Sequence, residues 1–292
     1  MKNRWMLSSL LCFTLVYGCA LPNEQQRTGE QQKLQQQRTG EQRRLQQQEA
    51  KQVKQAETPE LAGGDEQRVR EPHPVTLADL HRKYPRTFKL SGLPTQRQVA
   101  LTFDDGPDAV YTPQVLDMLK KYNVKATFFL IGNRAQKHPE IVKRMVREGH
   151  EIGNHTYTHP NLPKILPEHF QWQIKEADNI ISRQIGYHPR FFRPPYGAIN
   201  EEQIKWLASQ KYTVVNWNVD SLDWKGLSAD KVADNILSNI HFGAIILQHS
   251  AGGKGEDLTG TIKALPKIIT KLRADKVSFV TVSGLLKLPK NR

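Results

Sequence analysis

The chain has 292 residues and a formal net charge of +13, and 38% of its residues are hydrophobic. This size suits one large globular domain with accessory segments. The positive charge favours contact with anionic polymers, of which nucleic acid and cell wall are two. The sequence shows no basic helix and no interleaved arginine and aromatic platform, so we expect no binding to nucleic acid. Cys12 and Cys19 are the only cysteines, which excludes a disulfide framework and a thiolate metal site after residue 19.

Residues 1–19 have the pattern of an export signal, in which a short basic region precedes an apolar run over 5–16. That run is too short to span a bilayer comfortably. The small Gly18 directly before Cys19 resembles the lipobox of bacterial lipoproteins, although Tyr17 departs from that pattern. The resemblance implies that Cys19 is lipidated and anchors the mature chain to the cell membrane. The alternative is an ordinary signal peptide cleaved nearby, and either interpretation places the protein outside the cytoplasm.

A Gln-rich segment over residues 20–75 follows the signal and repeats itself. Residues 27–37 recur almost unchanged as residues 38–48, with a period of eleven residues that is close to three helical turns. One leucine per repeat cannot bury a core, so we predict a disordered or helical tether. A coiled-coil pairing module is the alternative. Residues 76–98 form a lead-in segment, in which we expect a short helix near 76–84.

Over residues 99–292, short apolar runs alternate with amphipathic stretches. We predict seven strands, at 98–103, 126–131, 150–154, 190–193, 212–219, 244–248 and 277–282. We predict helices between them, near 113–122, 139–148, 167–185, 200–210, 228–239 and 259–274. Strands that alternate with helices pair in parallel, so this domain is α/β, either a doubly wound sheet or a (β/α) barrel.

Polar side chains follow five of the predicted strands. They are Asp104, Asp105, His155, Arg193, Asp220 and His249. In a barrel of parallel strands these positions converge on one face, where the catalytic residues of such folds lie. We therefore expect the functional site at that face.

Two of the polar clusters contain residues that can bind a metal ion. In TFDDGP at 102–107, two adjacent carboxylates repel each other unless they share a cation or a proton, although this sequence also makes a good turn. HTYTH at 155–159 places two histidines four residues apart, and a solvated pair in a loop is the alternative interpretation. Two histidines and one carboxylate, with a fourth position open to water, form a common catalytic zinc arrangement.

Three further clusters are RPPYG at 193–197, DSLDW at 220–224 and LQHS at 247–250, each unspecific by itself. In order, the five clusters match the five motifs of the polysaccharide deacetylase family, also called the NodB-homology or carbohydrate esterase family 4 domain. The resemblance covers about 99–292 and is closest to cell-wall and lipoprotein members, including peptidoglycan N-acetylglucosamine deacetylases. It implies an incomplete or distorted (β/α) barrel of about seven parallel strands, preceded by the tether.

The resemblance also implies a role for each motif residue. Asp105, His155 and His159 match the metal ligands of the family, usually for zinc, with cobalt as a substitute. Asp104 matches the general base that takes a proton from the attacking water. Arg193 matches the arginine that pairs with this base and positions it.

His249 matches the general acid that protonates the leaving amine, and we expect Asp220 to hydrogen-bond His249 and raise its pKa. The backbone N–H of Tyr196 matches the donor to the oxyanion of the transition state. Trp224 and Leu247 match residues that line the pocket for the acetyl methyl group.

Asp223 is the second carboxylate of the fourth cluster. Because the first carboxylate takes the family role, we expect a structural role for Asp223.

These assignments predict a metal-dependent hydrolase that removes acetyl groups from N-acetylglucosamine units of a cell-envelope polysaccharide, with peptidoglycan as the leading candidate. Chitin oligomers, an exopolysaccharide and acetylated xylan are alternative substrates. A catalytically inactive glycan-binding homologue is a further alternative, which the presence of every motif residue disfavours. We expect a monomer whose partners are this polymer and, through the lipid anchor, the membrane.

Overall fold

The computed structural model describes residues 24–56, 58–64, 66 and 77–292. The predicted signal segment and its Cys19 lie outside these residues, as does most of the linker between 57 and 76. The chain divides into two compact units, Met1–Glu49 and Ala50–Arg292. No helix in the described part of the chain combines the length and the apolar character that a membrane crossing needs.

The Gln-rich segment is helical, because α1 runs from Glu24 to Ala56. Leu45, the leucine of the second repeat, is 53% exposed on this helix. The exposure agrees with the expectation that one leucine per repeat buries no core. Of the two forms predicted for the tether, the helical one is therefore observed over these residues.

Nine strands pair in parallel to form one sheet in the second unit. They are β1 Phe88–Lys89, β2 Gln98–Asp104, β3 Thr127–Leu130, β4 Glu151–Asn154, β5 Phe191–Phe192, β6 Thr213–Val215, β7 Val219–Asp220, β8 Ile245–His249 and β9 Ser278–Phe279. Their order across the sheet is β1-β6-β5-β4-β3-β2-β8-β7, and β9 pairs with β2. The predicted incomplete (β/α) barrel is confirmed, since no pairing joins β1 to β7 within the described ranges.

Helices flank the curved sheet. Those of the second unit are α2 Leu77–Lys83, α3 Thr112–Lys121, α4 Gly132–Lys137, α5 Pro139–Arg147, α6 Pro167–Ile185, α7 Glu201–Ser209, α8 Ala229–Leu237, α9 Thr259–Ala274 and α10 Val282–Leu286. Short 3₁₀ helices lie in the loops at Leu162–Lys164, Pro195–Gly197 and Asp223–Lys225.

The sheet differs from the predicted strands at two places. The single strand predicted at 212–219 is two strands, β6 beside β5 and β7 beside β8. Only three residues, 216–218, separate them, and an extended chain advances at most about 3.6 Å per residue, so the sheet curls until its two ends are close. The lead-in segment also contributes β1, a strand of two residues that pairs with β6.

The alternation of β2 decides which side chains face the inside of the barrel. Val99, Leu101 and Phe103 pack in the core under the helices. Ala100 belongs to a second core inside the curved sheet, so Thr102 and Asp104, which follow it at intervals of two, lie on the same inner face. The candidate site therefore opens at the carboxyl ends of the strands, as expected for this fold.

Candidate active site

Three predicted metal ligands meet at the carboxyl ends of β2 and β4. The Nε2 atoms of His155 and His159 lie 3.3 and 3.2 Å from Oδ1 of Asp105, and all three residues are buried. Ligand atoms bound about 2.0–2.1 Å from a tetrahedral zinc ion lie about 3.3 Å apart, so these separations fit such an ion. Oδ1 of Asp105 and Nε2 of His159 have no hydrogen-bond partner among the described residues, which also fits a cation between them.

The electrostatics of Asp105 and His159 suit metal binding, which requires an ionised carboxylate and a neutral imidazole. Burial by itself would raise the pKa of Asp105, but the neighbouring His159 and His155 lower it below its ordinary value. Burial lowers the pKa of His159 to about 3. At neutral pH, Asp105 is therefore charged and His159 is neutral.

The loop that carries both histidines has an uncommon backbone. Thr156 and His159 have φ angles of 69° and 61°, in the left-handed region that residues other than glycine rarely adopt. Oε1 of Gln173, on α6, accepts hydrogen bonds from the N–H groups of Tyr157 and Thr158, both at 2.9 Å. The helix thus holds the loop in a shape that points both rings toward Asp105.

Asp105, the third predicted ligand, is supported by Arg134. The sequence analysis did not identify Arg134 as a residue of the site. The residue is 1% exposed, and its guanidinium donates from Nη1 to the carbonyl oxygen of Asp105 at 2.9 Å and from Nη2 to that of Gly252 at 2.9 Å. Asp105 itself has a φ of 68°. A lone arginine outside the motifs carries no sequence signal of this role, because its partners are backbone carbonyls.

Asp104 is paired with Arg193, as the sequence analysis predicted. Nη1 of Arg193 donates to Oδ1 of Asp104 at 2.7 Å and to Oγ1 of Thr102 at 2.8 Å, while Nε donates to the carbonyl oxygen of Val215 at 2.9 Å. Oδ2 of Asp104 lies 3.9 Å from Nε2 of His155. The arginine therefore directs one carboxylate oxygen of Asp104 and leaves the other beside the metal triad.

The carboxylate that holds His249 is Asp223, and the prediction of Asp220 is wrong. Nδ1 of His249 lies 2.7 Å from Oδ1 of Asp223, and the backbone N–H of His249 donates to Oδ2 at 2.8 Å. Asp220 ends β7, where its Oδ1 accepts a hydrogen bond from the N–H of Leu222 at 2.9 Å. Leu222 has a φ of 55°, and this left-handed turn brings the next residue, Asp223, to β8.

The environment of His249 favours its protonated form. Burial opposes the charge, but the attraction of Asp223 and the hydrogen bond to it raise the pKa of His249 well above its ordinary value. The same attraction keeps the pKa of Asp223 low in spite of burial, and Oγ1 of Thr261 donates to its Oδ2 at 2.7 Å. A histidine that stays protonated at neutral pH can act as a general acid.

The register of the sheet brings the predicted base and acid together. In the parallel pair of β2 and β8, Asp104 lies directly opposite His249. The two groups thus stand on adjacent strands, next to the metal triad.

The three remaining predicted residues lie at the same end of the barrel. Tyr196 has a φ of 60°, and its ring packs edge-on against His159 with 4.6 Å between centroids. Leu247 is buried on β8, two residues before His249 and on the same face. Trp224 is buried in the 3₁₀ helix directly after Asp223.

Comparison with known proteins decides the family. A family model described as "Polysaccharide deacetylase" matches residues 92–215. A peptidoglycan-N-acetylglucosamine deacetylase of Bacillus cereus is 50% identical over 210 residues, which cover 72% of this chain and 75% of the relative. The chain belongs to the polysaccharide deacetylase family.

Two further matches agree with this membership. PgdA of Listeria monocytogenes, a peptidoglycan-N-acetylglucosamine deacetylase, is 38% identical to this polysaccharide deacetylase over 220 residues, 72% of this chain but only 45% of the relative. The crystal structure of the Bc1960 peptidoglycan N-acetylglucosamine deacetylase, in complex with a hydroxamate, superposes with a TM-score of 0.70 at 48% identity. That match covers 73% of this chain and 99% of the solved one.

Because Asp223, and not Asp220, is the partner of His249, the same substitution should have unequal effects at the two positions. Asp223→Asn leaves one acceptor oxygen for three donors and removes the charge, so we expect kcat to fall about 10²–10⁴-fold. Asp220→Asn keeps the oxygen that accepts from Leu222, so we expect a much smaller loss.

The pH profile of acetate release gives a second measurement. Without the Asp223 charge the pKa of His249 falls. The alkaline limb of the pH profile, where activity is lost because His249 loses its proton, should therefore move to lower pH. Equal losses in the two variants, with unchanged pH profiles, would contradict the assignment.

Proposed function

We propose that this polysaccharide deacetylase hydrolyses the N-acetyl group of N-acetylglucosamine units in peptidoglycan and releases acetate. The observation that carries the proposal is the placement of Asp104 and His249 opposite each other on β2 and β8, beside the triad. Amide hydrolysis needs a base for the water and an acid for the amine, and Asp104, held by Arg193, and His249, held by Asp223, can fill these two roles.

Asp105, His155 and His159 would hold a divalent ion, which we propose to be zinc. When bound there, such an ion supplies a Lewis acid that polarises the acetamide carbonyl and makes water more acidic. Asp104 accepts the proton of the attacking water through its oxygen nearest His155. Because Arg193 donates to the other carboxylate oxygen at 2.7 Å, the base is held in a fixed orientation.

His249 acts on the other half of the reaction. As the carbon–nitrogen bond breaks, protonated His249 gives a proton to the amine nitrogen, which is otherwise too poor a leaving group at neutral pH. The products are acetate and the free amine of the sugar. Asp223 keeps the imidazole oriented through Nδ1, which leaves Nε2 as the atom that transfers the proton.

The remaining motif residues would bind the acetyl group. Tyr196 has a left-handed backbone in the middle of the 3₁₀ turn, and we propose that its N–H donates to the oxyanion. Trp224 and Leu247 are buried. Trp224 directly follows Asp223, and Leu247 lies two residues before His249, so we propose that they surround the methyl group.

Peptidoglycan is the proposed polymer for three reasons. Two relatives, 50% and 38% identical to this chain, carry names of peptidoglycan deacetylases. The export signal predicted for residues 1–19 would carry the enzyme to the outside of the cytoplasm, where this polymer is found. The net charge of +13 favours an anionic cell wall. We also propose that lipidated Cys19 anchors the enzyme to the outside of the cell membrane, with α1 as a spacer.

Removal of the metal is expected to abolish acetate release. Chelation and dialysis should leave an inactive protein, and one equivalent of zinc or cobalt should restore turnover, because the ion is the proposed Lewis acid for the acetamide carbonyl. Acetate release is followed by an enzyme-coupled assay. Undiminished turnover in a preparation shown to be metal-free by elemental analysis would refute the proposed mechanism.

The substrate is tested by acetate release from purified peptidoglycan, chitin oligomers and acetylated xylan at equal acetyl concentration. We expect peptidoglycan to give the highest kcat/KM. Asp104→Asn is the matched control: it should lose about 10²–10⁴-fold in rate on every substrate while retaining its metal, since Asp104 is outside the triad. A preference for chitin oligomers or xylan would replace peptidoglycan in the proposal.

The lipid anchor is tested with Cys19→Ala and with Cys12→Ala as the control, in cells that express the full chain. Cys19→Ala should move the protein from the membrane fraction to the soluble fraction, because the thiol that carries the lipid is lost. Cys12→Ala should remain in the membrane fraction. Persistent membrane attachment of the Cys19 variant counts against lipidation.

A further inference from the structure

A short segment before the family domain lies against the metal triad. We name residues 58–64 the strap. The N–H groups of Ala62 and Gly63 donate to the carbonyl oxygens of Thr158 and His159 at 2.8 and 2.9 Å. Near its beginning, the carbonyl oxygen of Pro59 accepts two bonds from the guanidinium of Arg134, at 3.0 and 2.8 Å. The strap is thus fastened both to the histidine loop and to the arginine that supports Asp105.

Gly63 shows how closely the strap approaches the site. A Cβ atom at this position would lie 2.9 Å from the carbonyl oxygen of His159 and would collide with the hydroxyl of Tyr196. The first of these atoms is backbone, so it cannot rotate away. Only glycine fits the observed contact, and any larger residue must push the strap off the histidine loop.

The next residue completes a hydrogen-bonded chain to a metal ligand. The hydroxyl of Tyr196 donates its proton to the carbonyl oxygen of Gly64 at 2.7 Å, so its oxygen accepts from Nδ1 of His159 at 3.1 Å. The ring proton of His159 is therefore on Nδ1, and the lone pair of Nε2 is directed at Oδ1 of Asp105, 3.2 Å away.

The two histidines differ in the origin of this support. Nδ1 of His155 bonds directly to the carbonyl oxygen of Arg193 at 2.7 Å, within the family domain. The support of His159 instead depends on the strap, because a carbonyl cannot donate and so fixes the direction of the Tyr196 hydroxyl. Partners of this kind set the tautomer of a metal-bound histidine and the basicity of its other nitrogen.

We infer that the strap is a positioning element of the metal site, in which the Gly64 carbonyl, through the Tyr196 hydroxyl, holds His159 in its ligating tautomer. The inference rests on the proposed function only in that the triad binds a divalent metal. It assigns a role in the site to residues that precede the part of the chain matched by the family model. The segment that joins the tether to the domain is then also a part of the catalytic apparatus.

The test measures the zinc dissociation constant of the full chain by competition with a chromophoric chelator. Gly63→Ala displaces the strap, and Tyr196→Phe removes the hydroxyl but keeps the ring against His159. Each should weaken zinc binding about 10–100-fold, as loss of such an outer partner does elsewhere. Gly40→Ala is the matched control, because a Cβ there meets nothing within 4 Å, and its zinc affinity should equal that of the unaltered protein.

The double variant separates positioning from general destabilisation. If the strap acts through the hydroxyl, Gly63→Ala should add almost nothing in the Tyr196→Phe background. Melting temperatures of the metal-free proteins identify any variant that fails to fold, and Tyr196→Phe alone then still tests the hydroxyl. Fully additive losses, or an unchanged zinc affinity in Gly63→Ala, would overturn the inference.

Two other outcomes are also decisive. Faster acetate release by Gly63→Ala at unchanged zinc affinity would show that the strap obstructs the site, which contradicts positioning. An unaltered protein that binds no zinc or other divalent metal would remove the proposed function itself. A protein that binds zinc and releases acetate, but is indifferent to the strap, refutes only the inference drawn from Gly63 and Gly64.

Discussion

The ion pair between Arg193 and Asp104 connects the fold to the chemistry. Both side chains are buried, and the guanidinium also bonds to Thr102 and Val215, so it joins β2 to β6 across the inside of the curved sheet. Removing one partner of such a buried pair typically costs about 3–5 kcal/mol, because the other charge is left uncompensated. The carbonyl of Arg193 also accepts a hydrogen bond from His155, so one residue connects two strands and orients both the proposed base and a proposed metal ligand.

The site is built on backbone that is uncommon for residues with side chains. Five residues other than glycine with positive φ lie in its loops, namely Asp105, Thr156, His159, Tyr196 and Leu222. Such conformations cost about 1–3 kcal/mol each and persist only where the surroundings hold them. The hydrogen bonds that hold these loops come from Gln173, Arg134 and the strap. The strain is therefore balanced by groups that do not react. The arrangement explains why residues without chemistry of their own stand so close to the triad.

Much of the fold could be predicted from the alternation of apolar runs, since six long helices and the main strands lie near their predicted positions. Prediction failed where pairing is decided by distant partners. The run at 212–219 is rich in the β-branched and aromatic residues of a single strand, and only its two different neighbours, β5 and β8, divide it into β6 and β7. Two residues of β1 are too few for a periodic signal, and their pairing with β6 makes them a strand.

The sequence by itself determined the family, because its five clusters resemble the motifs of that family in order. The resemblance also predicted the incomplete parallel barrel and the three candidate metal ligands, which the structure brings together at the strand ends. The sequence could not decide whether Asp220 or Asp223 of DSLDW reaches His249. That choice depends on a left-handed turn at Leu222, which the sequence of the motif does not reveal. Nor could it show the strap, whose contacts to Tyr196 are made across about 130 residues of chain and through backbone carbonyls. Every residue has a carbonyl, so only the folded chain reveals which ones are used.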